Sequence, residues 1–65
     1  SSLNFLNDLE EIYKSRLELD IKNGKIESSK KNISALKMIE DSRSKIIANC
    51  NKKLVLESLI VNLEA

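Results

Sequence analysis

The 65-residue sequence contains no histidine, proline or tryptophan, and it has one cysteine, one glycine, one phenylalanine and one tyrosine. A chain without histidine and with a single cysteine cannot form a disulfide framework, the usual zinc sites or a serine–histidine–aspartate triad. A lone glycine cannot build a phosphate-cradling loop, and so few glycines and prolines leave too few turns for a many-stranded β fold. The sequence therefore predicts an all-α chain that is not an enzyme by itself and has no catalytic, cofactor-binding or metal site.

Long hydrophobic runs are also missing, because no uninterrupted apolar run exceeds three residues. A membrane-spanning helix needs about 20 predominantly apolar residues, and a signal peptide needs an apolar core of about 7–15. The 11 basic and 10 acidic side chains leave a net charge of +1, which gives no general attraction to nucleic acid or anionic membranes. We expect an intracellular, cytoplasmic chain that does not bind membranes.

Charge is distributed unevenly along the chain. Residues 1–21 carry five acidic and two basic groups, whereas residues 22–53 carry nine basic and three acidic groups. The basic middle could face nucleic-acid phosphates, or it could be a solvated linker with charged helix surfaces. No aromatic side chain that could stack on bases accompanies these lysines, which favours the solvated surface and predicts no direct DNA binding.

Apolar residues recur with helical spacing in three segments, which predicts a single domain over residues 1–65. The predicted helices cover about 3–23, 32–49 and 52–64, with a linker at about 24–31. Asn23-Gly24 supplies a stop for the first helix, and Gly24 can adopt the left-handed conformation that follows a helix end. Candidate caps for the second helix are the polar residues Ser28, Ser29 and Asn32. Asn51 is a natural N-cap for the third helix and predicts a sharp corner at Cys50-Asn51.

The second helix has one apolar stripe, formed by Ile33, Leu36, Ile39, Ile46, Ile47 and Cys50. Arg43 falls on the same stripe. Cys50 has neither a histidine partner nor a second cysteine, so we interpret it as a small buried apolar residue and not as a reactive thiol.

The first helix carries a polar pair inside its apolar arc. Arg16 and Asp20 are four residues apart, which fits an ion pair whose aliphatic stems cover apolar surface. Alternatively, the pair is a polar patch within a protein–protein contact. Both interpretations remain open at this point.

The third helix is apolar on two faces. One row, Val55, Leu59 and Leu63, is assigned to the internal core, while Leu54 and Val61 lie on nearly the opposite side, bordered by Glu57 and Ser58. So small a domain cannot bury both faces against its own helices. The second face therefore predicts a protein–protein contact.

The run Asp41-Ser42-Arg43-Ser44-Lys45-Ile46-Ile47-Ala48-Asn49-Cys50-Asn51-Lys52-Lys53-Leu54, continued by Leu56-Glu57 and Leu59, resembles a known signature. It is similar to the C-terminal signature of bacterial DNA polymerase III clamp-loader subunits, most of all delta-prime. That pattern reads acidic-Ala-Arg, then Leu, Ala-Asn-Val-Asn-Pro and Leu-x-Leu-Glu-x-Leu. The resemblance is tight over about residues 41–63 and looser over 3–24.

Four substitutions separate this chain from the family pattern. Ser42 stands for alanine, Cys50 for valine and Lys52 for proline, and Lys14-Ser15 replaces Arg-Asp after the family's tyrosine. Lysine is acceptable at position 52 because the first helical residue tolerates proline without requiring it. The loss of Arg-Asp predicts that part of the family's interface contacts is missing.

The resemblance implies a fragment of the collar, the helical domain through which clamp-loader subunits form a five-membered ring. Such a fragment would help to hold together the loader that places the sliding clamp on primed DNA, within an assembly similar to the DNA polymerase III holoenzyme, a nucleotidyltransferase. Its partners would be the gamma/tau and delta subunits, or a second copy of the isolated fragment. Candidate interface residues on this interpretation are Arg16, Asp20, Arg43, Leu54, Glu57 and Val61.

Two alternatives stay open at the level of sequence. A gamma/tau collar has the same architecture and differs mainly in the signature of the second helix, where Ala-Asn-Cys-Asn favours delta-prime. The chain could also be an unrelated helical module that binds another protein or, through its basic middle, a nucleic acid.

Overall fold

A computed structural model describes every residue, Ser1–Ala65, and contains three α-helices and no strand. Helix α1 covers Ser2–Lys22, α2 covers Ile26–Ile47 and α3 covers Lys52–Glu64. The predicted three-helix, all-α fold is confirmed. The first two helices are each about 32 Å long at 1.5 Å per residue, which accounts for the elongated shape of 39 × 21 × 14 Å.

Both connections use the same hydrogen-bonded ending. After α1, the Gly24 amide donates to Ile21 O at 3.1 Å and the Lys25 amide donates to Asp20 O at 2.8 Å. After α2, the amides of Asn49 and Cys50 make the equivalent bonds at 3.0 and 2.9 Å. These are Schellman motifs, which require a left-handed residue, and Gly24 (φ 69°) and Asn49 (φ 64°) provide it. Glycine and asparagine are the two residue types that adopt this conformation most readily.

The predicted linker at residues 24–31 is wrong, because α2 begins at Ile26 and only Asn23, Gly24 and Lys25 separate the first two helices. No proline or further glycine interrupts residues 25–31, so nothing prevents the helix from starting early. The supposed caps have other partners: Ser28 and Asn32 both donate to the Asp20 carboxylate, the latter at 2.9 Å. Lys25 occupies the N-cap position of α2 and makes no side-chain capping hydrogen bond.

The core is narrow, since only seven of the 65 residues are buried. Its centre consists of one residue from α1, two from α2 and one from α3, namely Leu6, Ile39, Ile46 and Leu59. Around them pack the partly buried side chains of Leu9, Tyr13, Met38, Val55, Leu56 and Leu63. The predicted internal row on α3 is therefore confirmed.

Small side chains allow α3 to approach α2. Ala35 and Ser42 are each only 5% exposed, and they lie seven residues apart on the side of α2 that faces α3. Ser42 lines one groove with Leu54, and Ala35 lines another with Leu63, so α3 runs antiparallel to α2. Residues without large side chains at these positions let the two helices pack closely.

The connection between α2 and α3 confirms one prediction and corrects another. The Asn51 side chain caps α3 by accepting the Leu54 amide at 3.1 Å, as predicted. Cys50, by contrast, is exposed. Because α2 ends at Ile47 and Asn49 turns the backbone into the left-handed region, Cys50 no longer follows the apolar stripe of α2. None of the three helices combines the length and the hydropathy needed to cross a bilayer.

Candidate protein-interaction surface

An exposed apolar strip follows the outer side of α3. Leu54 and Val61 are 63% and 65% exposed, and their spacing of seven residues places them two turns apart on one side of the helix. Leu59, on the opposite side, is 2% exposed. Glu57 lies between the two apolar residues and is also exposed. We call Leu54, Glu57 and Val61 the α3 outer strip.

A groove between α2 and α3 begins at one end of this strip. It has a volume of about 230 Å³, and Leu54 lines it together with Val55 and Met38. Asp41 and Lys45 form part of its α2 wall and are joined by an ion pair of 2.9 Å. The hydrogen bond from Lys45 to the Asp41 carboxylate raises the pKa of Lys45. Asp41 and Lys45 were not among the predicted site residues, although two opposite charges four residues apart on a helix are the sequence signal for such an ion pair.

Arg43 joins α1 to α2 and does not reach the α3 outer strip. Its guanidinium donates to the side chains of Asn7 at 3.1 Å, Glu10 and Glu40. The Arg43 side chain is only 17% exposed, and Glu10 is additionally paired with Lys14 at 2.9 Å. A planar guanidinium that contacts two helices holds them in one relative position. The structure thus gives this candidate interface residue an internal role.

The charged network around Arg43 perturbs its members in the expected directions. Hydrogen bonds from Lys14 and then from Arg43 lower the pKa of Glu10 below its ordinary value of 4.5. The hydrogen bond to Glu10 in turn raises the pKa values of Lys14 and Arg43. All three groups are charged at neutral pH, and the cluster contains no group that exchanges a proton there.

Arg16 and Asp20 do not form the ion pair that their spacing suggested. The Arg16 guanidinium instead lies over the Tyr13 ring, 5.2 Å from its centre, in a cation–π contact. The Asp20 carboxylate accepts hydrogen bonds from Ser28 and Asn32 of α2. Because α2 starts earlier than predicted, it brings donors to Asp20 that a linker would not have held there.

The described side chains contain no group of three or more histidine, cysteine, aspartate or glutamate residues placed to hold a metal ion. The six candidate residues divide by position: Leu54, Glu57 and Val61 share the α3 outer strip, whereas Arg16, Asp20 and Arg43 lie elsewhere.

Compared with known proteins, the chain matches no protein-family model, no curated protein and no solved structure.

Proposed function

We propose that this chain is a non-catalytic assembly module, and specifically the collar segment of a bacterial DNA polymerase III clamp-loader subunit of the delta-prime type, acting in the cytoplasm. The observation that carries the proposal is the α3 outer strip. Its apolar residues, Leu54 and Val61, lie opposite the buried Leu59, so α3 presents a second apolar face that its own domain does not cover. The strip falls within residues 41–63, where the resemblance to that family is tight.

Partner subunits would contact the α3 outer strip and the adjoining α2–α3 groove. Burial of Leu54 and Val61 supplies the hydrophobic term, and Glu57 between them supplies a charge that selects the partner. Arg43 and Asp20 would act indirectly, by fixing α1 on α2 and so setting the surface that α2 and α3 present. Arg16 remains outside the strip with its guanidinium over Tyr13.

The composition supports a structural and non-catalytic role for the chain. Without histidine, no neutral base is available beside its serines, and its single glycine provides no phosphate-binding loop. The parent assembly would supply ATP hydrolysis and polymerisation through other modules.

A lysine introduced at Val61 tests the proposal. Val61→Lys should leave the helical circular-dichroism spectrum and melting midpoint nearly unchanged, because the side chain is 65% exposed. It should abolish capture of the chain by purified gamma/tau and delta subunits, because burying an unpaired ammonium in an interface costs several kcal/mol. Leu19→Lys is the matched control, since Leu19 is 58% exposed on α1 and should bind normally.

Three outcomes would contradict the proposal. If wild type is not captured by the loader subunits, the clamp-loader assignment fails. If Val61→Lys is captured as well as Leu19→Lys, the α3 outer strip is not the contact. If the chain binds duplex DNA with an affinity that falls steeply with salt, the alternative of a basic nucleic-acid-binding module is favoured instead.

A further inference from the structure

A second exposed apolar site lies at the connection between α1 and α2. Ile21, Ile26 and Ile33 are 63%, 67% and 42% exposed, and all three line one hollow of about 240 Å³. Ile26 and Ile33 are seven residues apart, so they form a ridge of two turns along α2, about 10 Å long. We call the space lined by these three isoleucines the isoleucine hollow.

Charged side chains border the isoleucine hollow, and most of them are lysines. Lys25 and Lys30 line it directly, and Lys22 and Lys31 lie close by in sequence. Two carboxylates belong to the same region: Asp20 also lines the hollow and accepts hydrogen bonds from Ser28 and Asn32, and Glu27 pairs with Lys30 at 3.7 Å. Residues 20–31 hold four lysines against two acidic residues, a net charge of +2. The hollow is therefore apolar inside and positively charged at its edge.

We propose that the isoleucine hollow binds an acidic amphipathic helix of another protein. One or two branched or aromatic side chains of that helix would enter the hollow, and aspartate or glutamate residues on its flanks would pair with Lys25 and Lys30. An amphipathic helix recognises a groove through apolar anchors at helical spacing, and anchors seven residues apart match the Ile26–Ile33 ridge. Opposite charges on the two edges set the orientation and speed the encounter.

The shape and lining of the hollow favour a peptide over other anionic partners. The isoleucines come from both helices of the hairpin, Ile21 from α1 and Ile26 and Ile33 from α2, so the hollow lies between two helices, where a third helix can pack. Single-stranded nucleic acid requires ring stacking, and no aromatic residue lines the hollow. The site shares no residue with the α3 outer strip, so this inference stands independently of the proposed function.

The test titrates the 65-residue chain against a synthetic 18-residue helical peptide that has leucine at positions seven apart and glutamate on both flanks, followed by fluorescence anisotropy. Binding should weaken about tenfold in Ile26→Ser, which removes one apolar wall. Ile47→Ser is the matched control, because Ile47 is 66% exposed on the same helix and outside the hollow. Its affinity should equal that of wild type, and circular dichroism should show equal helix content in all three proteins.

Charge is tested on the same chain. In Lys25→Glu/Lys30→Glu, the acidic peptide should bind at least tenfold more weakly, and a peptide with lysine in place of every glutamate should bind more tightly than it binds wild type. The proposal is overturned if the acidic peptide does not bind wild type at about 1 mM, or if Ile26→Ser and Ile47→Ser lose equal affinity. It is also overturned if the peptide fails while vesicles of anionic phospholipid bind in an Ile26-dependent manner, because that result assigns the hollow to a membrane surface.

Discussion

The two helix contacts of this bundle are held together by different interactions. Helix α1 is joined to α2 by polar side chains at two places, Arg43 with Glu10 and Asn7 near one end, and Asp20 with Ser28 and Asn32 near the other. No side-chain hydrogen bond or ion pair joins α3 to either of the other helices. Helix α3 is held by apolar packing around Leu59 and by its covalent connection.

The two contacts have different roles: the polar contacts position α1 on α2, and the apolar contact attaches α3. Hydrogen bonds are directional, so the polar contacts at both ends of the α1–α2 pair set the register of one helix on the other. Apolar packing is not directional, and the residues on the outer side of α3 are not needed to hold the helix in place. The helix that does least to specify the fold is therefore the one that can carry a second apolar face.

The largest expected effect is in the core contact of α3. Leu59→Ala should lower the free energy of unfolding by about 2–4 kcal/mol, because it deletes the buried side chain on which α3 depends and leaves a cavity. Urea denaturation followed by circular dichroism measures the change. Leu54→Ala, on the exposed side of the same helix, is the control and should stay within about 0.5 kcal/mol of wild type. A loss below about 1 kcal/mol for Leu59→Ala would mean that other contacts hold α3.

The polar side of the comparison is tested with Arg43→Met, which keeps an unbranched apolar stem but removes the guanidinium. The free energy of unfolding should fall by about 1.5 kcal/mol through the loss of charge-assisted hydrogen bonds to α1. Lys45→Met, which breaks only an exposed pair within α2, is the control and should leave the melting midpoint nearly unchanged. Equal effects in the two variants would contradict the interhelical role of Arg43.

The same variant should change the pH dependence of stability. The pKa of Glu10 is lowered in the folded chain, so its contribution is fully present above the ordinary value of 4.5 and is lost as the pH falls through the folded pKa. Wild type should therefore lose stability below about pH 4.5, and Arg43→Met should lose less over that range, because only Lys14 still pairs with Glu10. Parallel stability curves for the two proteins would contradict this assignment.

The smallest expected effect concerns the connection between α2 and α3. Asn51→Ala should cost about 1 kcal/mol, because it leaves the Leu54 amide without its cap. Asn49→Gly is the matched control two residues away. It keeps a residue suited to φ 64° and should preserve or slightly raise the melting midpoint. If both changes destabilise the chain equally, the two asparagines do not have the separate roles assigned to them.

Local chemistry predicted several of these features directly. The Asn51 side chain caps α3, and Gly24 adopts a positive φ after α1. Both roles were predicted from residue type and position alone. The row through Leu59 and the opposite side with Leu54 and Val61 followed from helical spacing, and the exposures agree. The intramolecular partners of Arg43 and Asp20 were not predicted, because both side chains look equally available in the sequence before the packing of α1 on α2 is known.

The sequence by itself determined that the chain is helical, where α1 ends and where α3 begins, because these properties depend on residues within a few positions of one another. Tertiary structure decided the partners of Ser28 and Asn32, which donate to Asp20 across the hairpin and do not cap α2. It also decided that Arg43 donates hydrogen bonds to Asn7 and Glu10 of α1. A polar side chain can form hydrogen bonds with several kinds of partner, and only the packing of one helix on another selects among them.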